Sequence, residues 1–222
     1  MTGDADRALI DEQIAYYDAR AAEYDATSTP DDDPFAADAD RIRTALDEYD
    51  LGGRVLEIAA GTGQWTPQLA DRARELVVTD SSPAMLDLNR ARVGERPNVR
   101  YRVADAFALE PSHAYDAVFF GFFLSHVPPG RFEAFWGVVE GLLAPGGRVI
   151  FVDEGDHGMW EEDWLDRAAG LVERRLVDGS RHRAVKVFWE PTELEGRLRS
   201  LGWRPSVTAS GPFYRGTAIR SS

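Results

Sequence analysis

The chain of 222 residues, 44% hydrophobic and 28% charged, has the size and profile of one globular domain with a sizeable core. Its formal net charge of −13 argues against phosphate backbones and anionic membranes as partners. The absence of cysteine excludes disulfides, thiolate metal sites and cysteine nucleophiles, and no apolar run approaches the roughly 20 residues of a membrane helix. The acidic N-terminus, "MTGDADRALIDEQ", is unlike a secretory signal, so the expected location is the cytoplasm.

Ile10, Ile14, Tyr17, Ala21 and Tyr24 fall at helical spacing and predict an N-terminal helix, broken by "TSTPDDDP". Arg41 to Tyr49 predicts a second helix, closed by Gly52 and Gly53. From Arg54 strands and helices alternate. "RVLEIA" is a strand buried on both sides apart from Glu57, and "TPQLADRA" is a helix with Thr66 as N-cap and Pro67 first. "ELVVTD", "NVRYRVADA", a segment of "YDAVFFGFFLSH" and "RVIFVDE" are further strands. Between them lie a helix opened by Ser82 and Pro83 and an amphipathic helix through Phe132, Phe135, Trp136 and Val139, stopped by "APGG".

Beyond Glu154 the rhythm changes. "ERRLVDGSRHRAVKVFW" reads as a hairpin, "TELEGRLRSLGW" as a helix with a Thr192–Glu195 capping box, and "RPSVTAS" and "FYRGTAIR" as two closing strands. The pattern predicts an α/β fold with a parallel sheet covered on both faces. One domain is expected over 1–222: a helical cover (1–50), a ligand-binding core (51–153), an insertion (154–190) and a C-terminal helix with closing strands (191–222).

The stretch "VLEIAAGTGQW" ends a strand in Gly61-Thr62-Gly63 and feeds a helix, a geometry that lets a nucleotide lie against bare backbone. A dinucleotide fingerprint would put a third glycine at Thr66, and Glu57 would sit poorly beside a pyrophosphate. Asp80 ends the second strand nineteen residues past Gly61, where a carboxylate accepts from both ribose hydroxyls of NAD or S-adenosylmethionine (SAM) alike. Asp105 ends the third strand, placed to accept from an adenine amino group with Phe107 near the ring. Each acid has a plain alternative as a helix cap or a solvated loop residue. Three of them at the ends of consecutive strands share one crevice.

"VLEIAAGTGQW", "VVTDSSPAML", "RVADAFAL", "YDAVFFGFFLSHV" and "LLAPGGRVIFVDE" resemble, in order and spacing, the successive motifs of class I SAM-dependent methyltransferases. The resemblance covers roughly residues 10 to 220. It implies a Rossmann-like seven-stranded sheet whose last strand, "FYRGTAIR", is antiparallel. It also implies SAM contacts at Glu57, Ala59, Gly61, Gly63, Asp80, Ser81, Met85, Asp105, Ala106 and Phe122. "YYDARAAEYD" is similar to the helix that covers SAM in this group, which implies Tyr17 beside the cofactor and Tyr24 at the acceptor mouth. Helix packing explains the tyrosine spacing equally well.

The acceptor is the remaining question. Nucleic-acid amino-methylating enzymes resemble one another in an Asn/Asp-Pro-Pro-aromatic motif where this chain reads "GFFLSH", and arsenic-type methylation relies on cysteines. His126 directly follows the fourth strand, where methyl and acceptor should meet, and is the candidate catalytic residue, beside Phe123. A capping or packing role next to Pro128 and Pro129 is its alternative. "DEGDH", Asp153 to His157, offers possible metal ligands but reads as a solvated loop, so no metal is expected.

On the hairpin, a Gly179-Ser180-Arg181 loop would set Arg174 directly opposite Lys186, a pairing of like charges that suits a bound anion. A two-residue Asp178-Gly179 turn would pair Arg174 with Arg183 instead. The whole pattern is similar to phosphonate O-methyltransferases of dehydrophos biosynthesis and to related actinobacterial enzymes. That resemblance implies that Arg174 and Lys186 hold an acidic acceptor. This chain departs from it at "PDDDP", with Asp31 where a tyrosine is expected, and at the more apolar "GFFL".

The expected function is therefore SAM-dependent methyl transfer to an oxygen of a small molecule, by a monomer or homodimer. An NAD-dependent oxidoreductase and a SAM-binding protein that no longer methylates are the alternatives.

Overall fold

A computed structural model describes residues 3–28, 35–156 and 162–221. Asp31 and His157 lie outside the described residues. The alternation of short apolar strands and amphipathic helices produces the element order directly. The N-terminal helix α1 (Gly3–Arg20) passes through a 3₁₀ turn (Ala21–Glu23) into α2 (Tyr24–Ser28), and α3 spans Ala36–Leu46. Then come β1 (Arg54–Glu57), α4 (Thr66–Arg72), β2 (Glu75–Asp80), α5 (Pro83–Val93), β3 (Val99–Val103) and β4 (Tyr115–Gly121). Helix α6 (Phe132–Leu142) leads into β5 (Leu143–Glu154), followed by β6 (Asp163–Asp166), β7 (Leu171–Arg175), β8 (Arg181–Val185), α7 (Pro191–Ser200), β9 (Trp203–Ser210) and β10 (Phe213–Arg220).

The main sheet has seven strands in the order β3-β2-β1-β4-β5-β10-β9. The first five run parallel, and β10 is antiparallel to both β5 and β9, as the expected fold requires. Side chains alternate across it: Val118, Phe120, Val149 and Phe151 join one apolar cluster, Ala117, Phe119, Ile150 and Val152 the other. The strand order reverses direction between β1 and β4, and a ligand crevice opens at the carboxyl ends of strands at such a point.

Several local expectations are corrected. The cap of α4 is Trp65, one residue earlier than expected, and Thr66 instead accepts from Asn89 Nδ2 at 2.9 Å. Helix α7 starts at Pro191 after Glu190, so the capping box does not form; Glu195 accepts from Val207 N–H at 2.9 Å and pairs with Arg199. Helix α3 begins five residues before Arg41. By contrast, Ser82 does cap α5, its hydroxyl accepting from Met85 N–H at 3.1 Å.

The insertion is a three-stranded sheet, β6-β7-β8, rather than a lone hairpin. Its β7–β8 turn closes with Leu176 N–H donating to Ser180 O and Gly179, at φ +86, donating to Leu176 O. The loop is thus Val177-Asp178-Gly179, a three-residue connection with glycine in the left-handed position. Arg174 consequently pairs with His182, which overturns both expected registers. Gly170 faces Lys186, whose N–H donates to its carbonyl, so Arg174 and Lys186 share one face at a diagonal instead of standing opposite. Among the described residues no helix is long and apolar enough to cross a membrane.

Candidate active site

One cavity lies at the carboxyl ends of β1, β2, β3 and β4, roofed by α1 and α2. It is lined by Tyr17, Ala59, Gly61, Asp80, Ser81, Met85, Asp105, Ala106 and Phe122, nine of the expected cofactor contacts, together with Tyr24, Phe123 and His126. Glu57 and Gly63 do not line it. Arg174 and Lys186 stand behind its His126 wall rather than on it.

The backbone is bent hard at this place. Ala59 (φ 52) and Phe122 (φ 54) hold left-handed conformations that side chains other than glycine rarely adopt. They follow β1 and β4, the two strands flanking the switch point, and backbone strain of this kind concentrates at functional sites. A Cβ built on Gly61, at φ +53, would meet no protein atom within 4 Å, so the bare backbone faces open crevice. Gly63, at φ +88, is needed for packing: a Cβ there would lie 2.8 Å from Cγ of Asn89.

Asp80 is buried and unpaired with any cation among the described residues. Its two oxygens accept from Gly61 N–H (2.8 Å) and Ser82 N–H (2.9 Å). A carboxylate offers about four acceptor positions, so capacity for ribose hydroxyls remains. Burial pushes its pKa up, opposed by those backbone N–H groups. Asp105 receives Phe107 N–H at 2.9 Å and an ion pair from Arg7 of α1 at 2.7 Å. Glu57 is buried behind the loop with neither carboxylate oxygen in a well-formed hydrogen bond. Burial pushes it to about 8, with Thr66 opposing and Asp80 adding to the shift. A bare bend, a buried acceptor at Asp80 and a second acid at Asp105 fit a sulfonium nucleoside.

At the other wall His126 is held from three sides. Its Nδ1 donates to Val185 O at 2.7 Å, and Tyr17 Oη lies over the ring, 3.0 Å from Nε2 and 3.5 Å from Nδ1. Gln13 joins the same pair, donating to His126 O and accepting from Val185 N–H. Burial first, then the Lys186 charge, hold its pKa well below the usual histidine value. Lys186 is itself buried; it donates to Ser125 Oγ at 3.3 Å and pairs with Glu154. Arg174 is paired with Glu162.

The cover is tied to the core by side-chain pairs that the sequence pattern did not reveal. Ser82 Oγ donates to Asp18 (2.5 Å), Thr62 Oγ1 donates to Asp25 (2.6 Å), and Asp25 also pairs with Arg92. Ile10, Gln13 and Ile14 complete the cavity face of α1 with Tyr17, a spacing legible as one helical stripe. Gln64 and Trp65 complete the opposite rim and carried no such signal.

A methyltransferase-domain family model matches residues 55–147. The demethylmenaquinone methyltransferase of Deinococcus radiodurans is 34% identical over 176 residues, 70% of each chain. Among solved structures, DhpI in complex with SAH (S-adenosylhomocysteine) is 41% identical with a TM-score of 0.81, covering 96% of this chain and 97% of that one. DhpI with SAM and HEP matches with the same identity and score over 95% and 97%. The crevice geometry, the strand order and these relatives agree: the chain belongs to the class I SAM-dependent methyltransferases.

Proposed function

We propose that the enzyme transfers the methyl of SAM to an oxygen of a small acidic molecule in secondary metabolism. SAM supplies a methyl group already activated on a sulfonium, so the protein must align the acceptor and exclude water. Asp80 takes the ribose hydroxyls, while Asp105 and Phe107 meet the adenine. Ala59, Gly61, Ser81, Met85, Ala106 and Phe122 line that half of the cavity. Gly63 and Glu57 support the loop from behind, without direct contact.

The acceptor lies against Phe123, His126 and Tyr24. The observation that carries an acidic acceptor is the convergence of two cations from the insertion, Arg174 and Lys186, on the neutral His126 that lines the cavity. Both cations are paired within the fold, Lys186 with Glu154 and Arg174 with Glu162, so an acidic acceptor would share them with those carboxylates. The likeness to DhpI, seen with SAM and HEP, supports the same reading.

The test is SAH release with SAM and a panel of phosphonates, carboxylic acids, phenols, quinols and sugars. Acids are expected to react, and Arg174→Ala and Lys186→Met to raise their KM. Turnover confined to uncharged phenols, quinols or sugars contradicts the proposal.

A further inference from the structure

Strand β8 is an edge of the insertion sheet, so alternate residues turn both backbone groups away from β7. Arg183, Val185 and Val187 fall on that free side. Arg183 N–H donates to Glu12 Oε1 of α1 at 2.8 Å, and Val187 N–H, just past the strand, donates to Ser125 O at 2.8 Å. Val185 gives both of its groups to the active-site wall. Its N–H donates to Gln13 Oε1 at 2.8 Å, and its carbonyl accepts from His126 Nδ1 at 2.7 Å. Gln13 Nε2 donates to His126 O at 3.1 Å, which closes a ring of three hydrogen bonds through α1, β8 and the turn that carries His126.

The Val185 carbonyl only accepts, so Nδ1 holds the imidazole proton. Nε2 keeps its lone pair in the ring plane, off the face that Tyr17 Oη covers. The orientation of the Gln13 amide is fixed as well, because one of its partners only donates and the other only accepts. Gln13 is 5% exposed and lines the cavity with His126.

We propose that Gln13 is a positioning residue, whose amide locks the Val185 peptide against His126 so that the ring keeps Nε2 unprotonated for the acceptor. This rests on the reading that the acceptor lies against His126. The cover helix thereby completes the acceptor wall as well as roofing the cofactor. Seating of α1 does not itself need Gln13: Glu12 pairs with Arg183, Asp18 accepts from Ser82 Oγ, and Arg7 pairs with Asp105. Gln13→Met keeps the length of the side chain and removes both hydrogen bonds, so the cover should stay in place while the ring loses its lock.

Two measurements test it. In ligand-free protein, ¹⁵N spectra should show wild-type His126 with its proton on Nδ1, and Gln13→Met should add a population protonated on Nε2. A ring unchanged by the substitution overturns the proposal. With SAM and methylphosphonate, Gln13→Met should lose on the order of 10-fold in kcat, since a displaced reacting group costs up to about 10²-fold. SAH affinity should stay within about two-fold. A merely structural glutamine would lower kcat independently of His126, so the double variant decides. On a His126→Ala background, Gln13→Met should cost nothing more. A further loss of the same size overturns the positioning role and leaves that of His126 intact, whereas wild-type kcat in His126→Ala overturns the reading beneath it. If the wild type does not methylate methylphosphonate at all, the acidic-acceptor reading falls, and the ring tautomer alone still decides the role of Gln13.

Discussion

Arg174 and Glu162 form a two-pronged pair: Arg174 Nη2 donates to Oε1 at 2.9 Å, while Nη1 stands 2.6 Å from Oε2. The cation that the sequence offers to an acidic acceptor is thus already neutralised from within its own insertion, and the Glu162 side chain is only 6% exposed. On the proposed reading an acidic acceptor would have to draw Arg174 from Glu162 toward the cavity. Glu162→Gln should therefore lower KM for an acidic acceptor about five-fold, equivalent to about 1 kcal/mol, with KM for SAM unchanged. Steady-state kinetics with both substrates varied checks this; a raised acceptor KM would show that Glu162 orients Arg174 rather than competing for it.

The two loop glycines should fail in different ways. Alanine at Gly63 adds left-handed strain and a clash with Asn89, so Gly63→Ala should cost about 1–3 kcal/mol of stability. Alanine at Gly61 adds strain but no clash, and its methyl enters the crevice, so Gly61→Ala should lose SAH affinity out of proportion to stability. Thermal melts and calorimetry on both variants separate the effects; the reverse pattern would remove the ligand from the loop.

His126→Ala should lower kcat on the order of 10²-fold while leaving SAH affinity within about two-fold, because both residues line the cavity and the proposed function sets the acceptor against His126 and the nucleoside against Asp80. Lost SAH affinity with turnover unaltered at saturation would contradict that division.

Glu57 gives a signature in stability against pH. Its folded pKa of about 8 lies above the ordinary 4.5, so folding takes up a proton. Its contribution is fully present below the ordinary value and is lost as pH rises through about 8. Ligand-free Glu57→Gln should accordingly lose less stability than the wild type across that window in melts followed by circular dichroism. Parallel curves would mean that Glu57 is ionised in the fold.

Much of the site was legible because its signals are local. The Gly61–Gly63 bend, Ser82-Pro83 opening a helix, Asp80 at the end of β2 and Asp105 two residues past the end of β3 each lie within a few residues of their own signal. The register at Arg174 was not, because one residue of loop length moves every pair, and Asp178-Gly179 suits both a two- and a three-residue turn. Strand β6 (Asp163–Asp166) was missed because it is short and mostly exposed, without alternation. The capping box at Thr192 lost to Pro191, which starts the helix two residues before the first helical position that a Thr192 cap would set. The bonds of Tyr17 to His126, 109 residues away, and of Gln13 to Val185, 172 away, leave no trace in local pattern. Their helical stripe was visible, but its partners were not.

The most direct test of the account is a crystal structure of the protein grown with SAH. The ribose hydroxyls should lie within about 2.6–3.0 Å of the Asp80 carboxylate, with the sulfur directed toward the Tyr17–His126 wall. A crevice empty at saturating SAH, or a nucleoside bound away from Asp80, would contradict it.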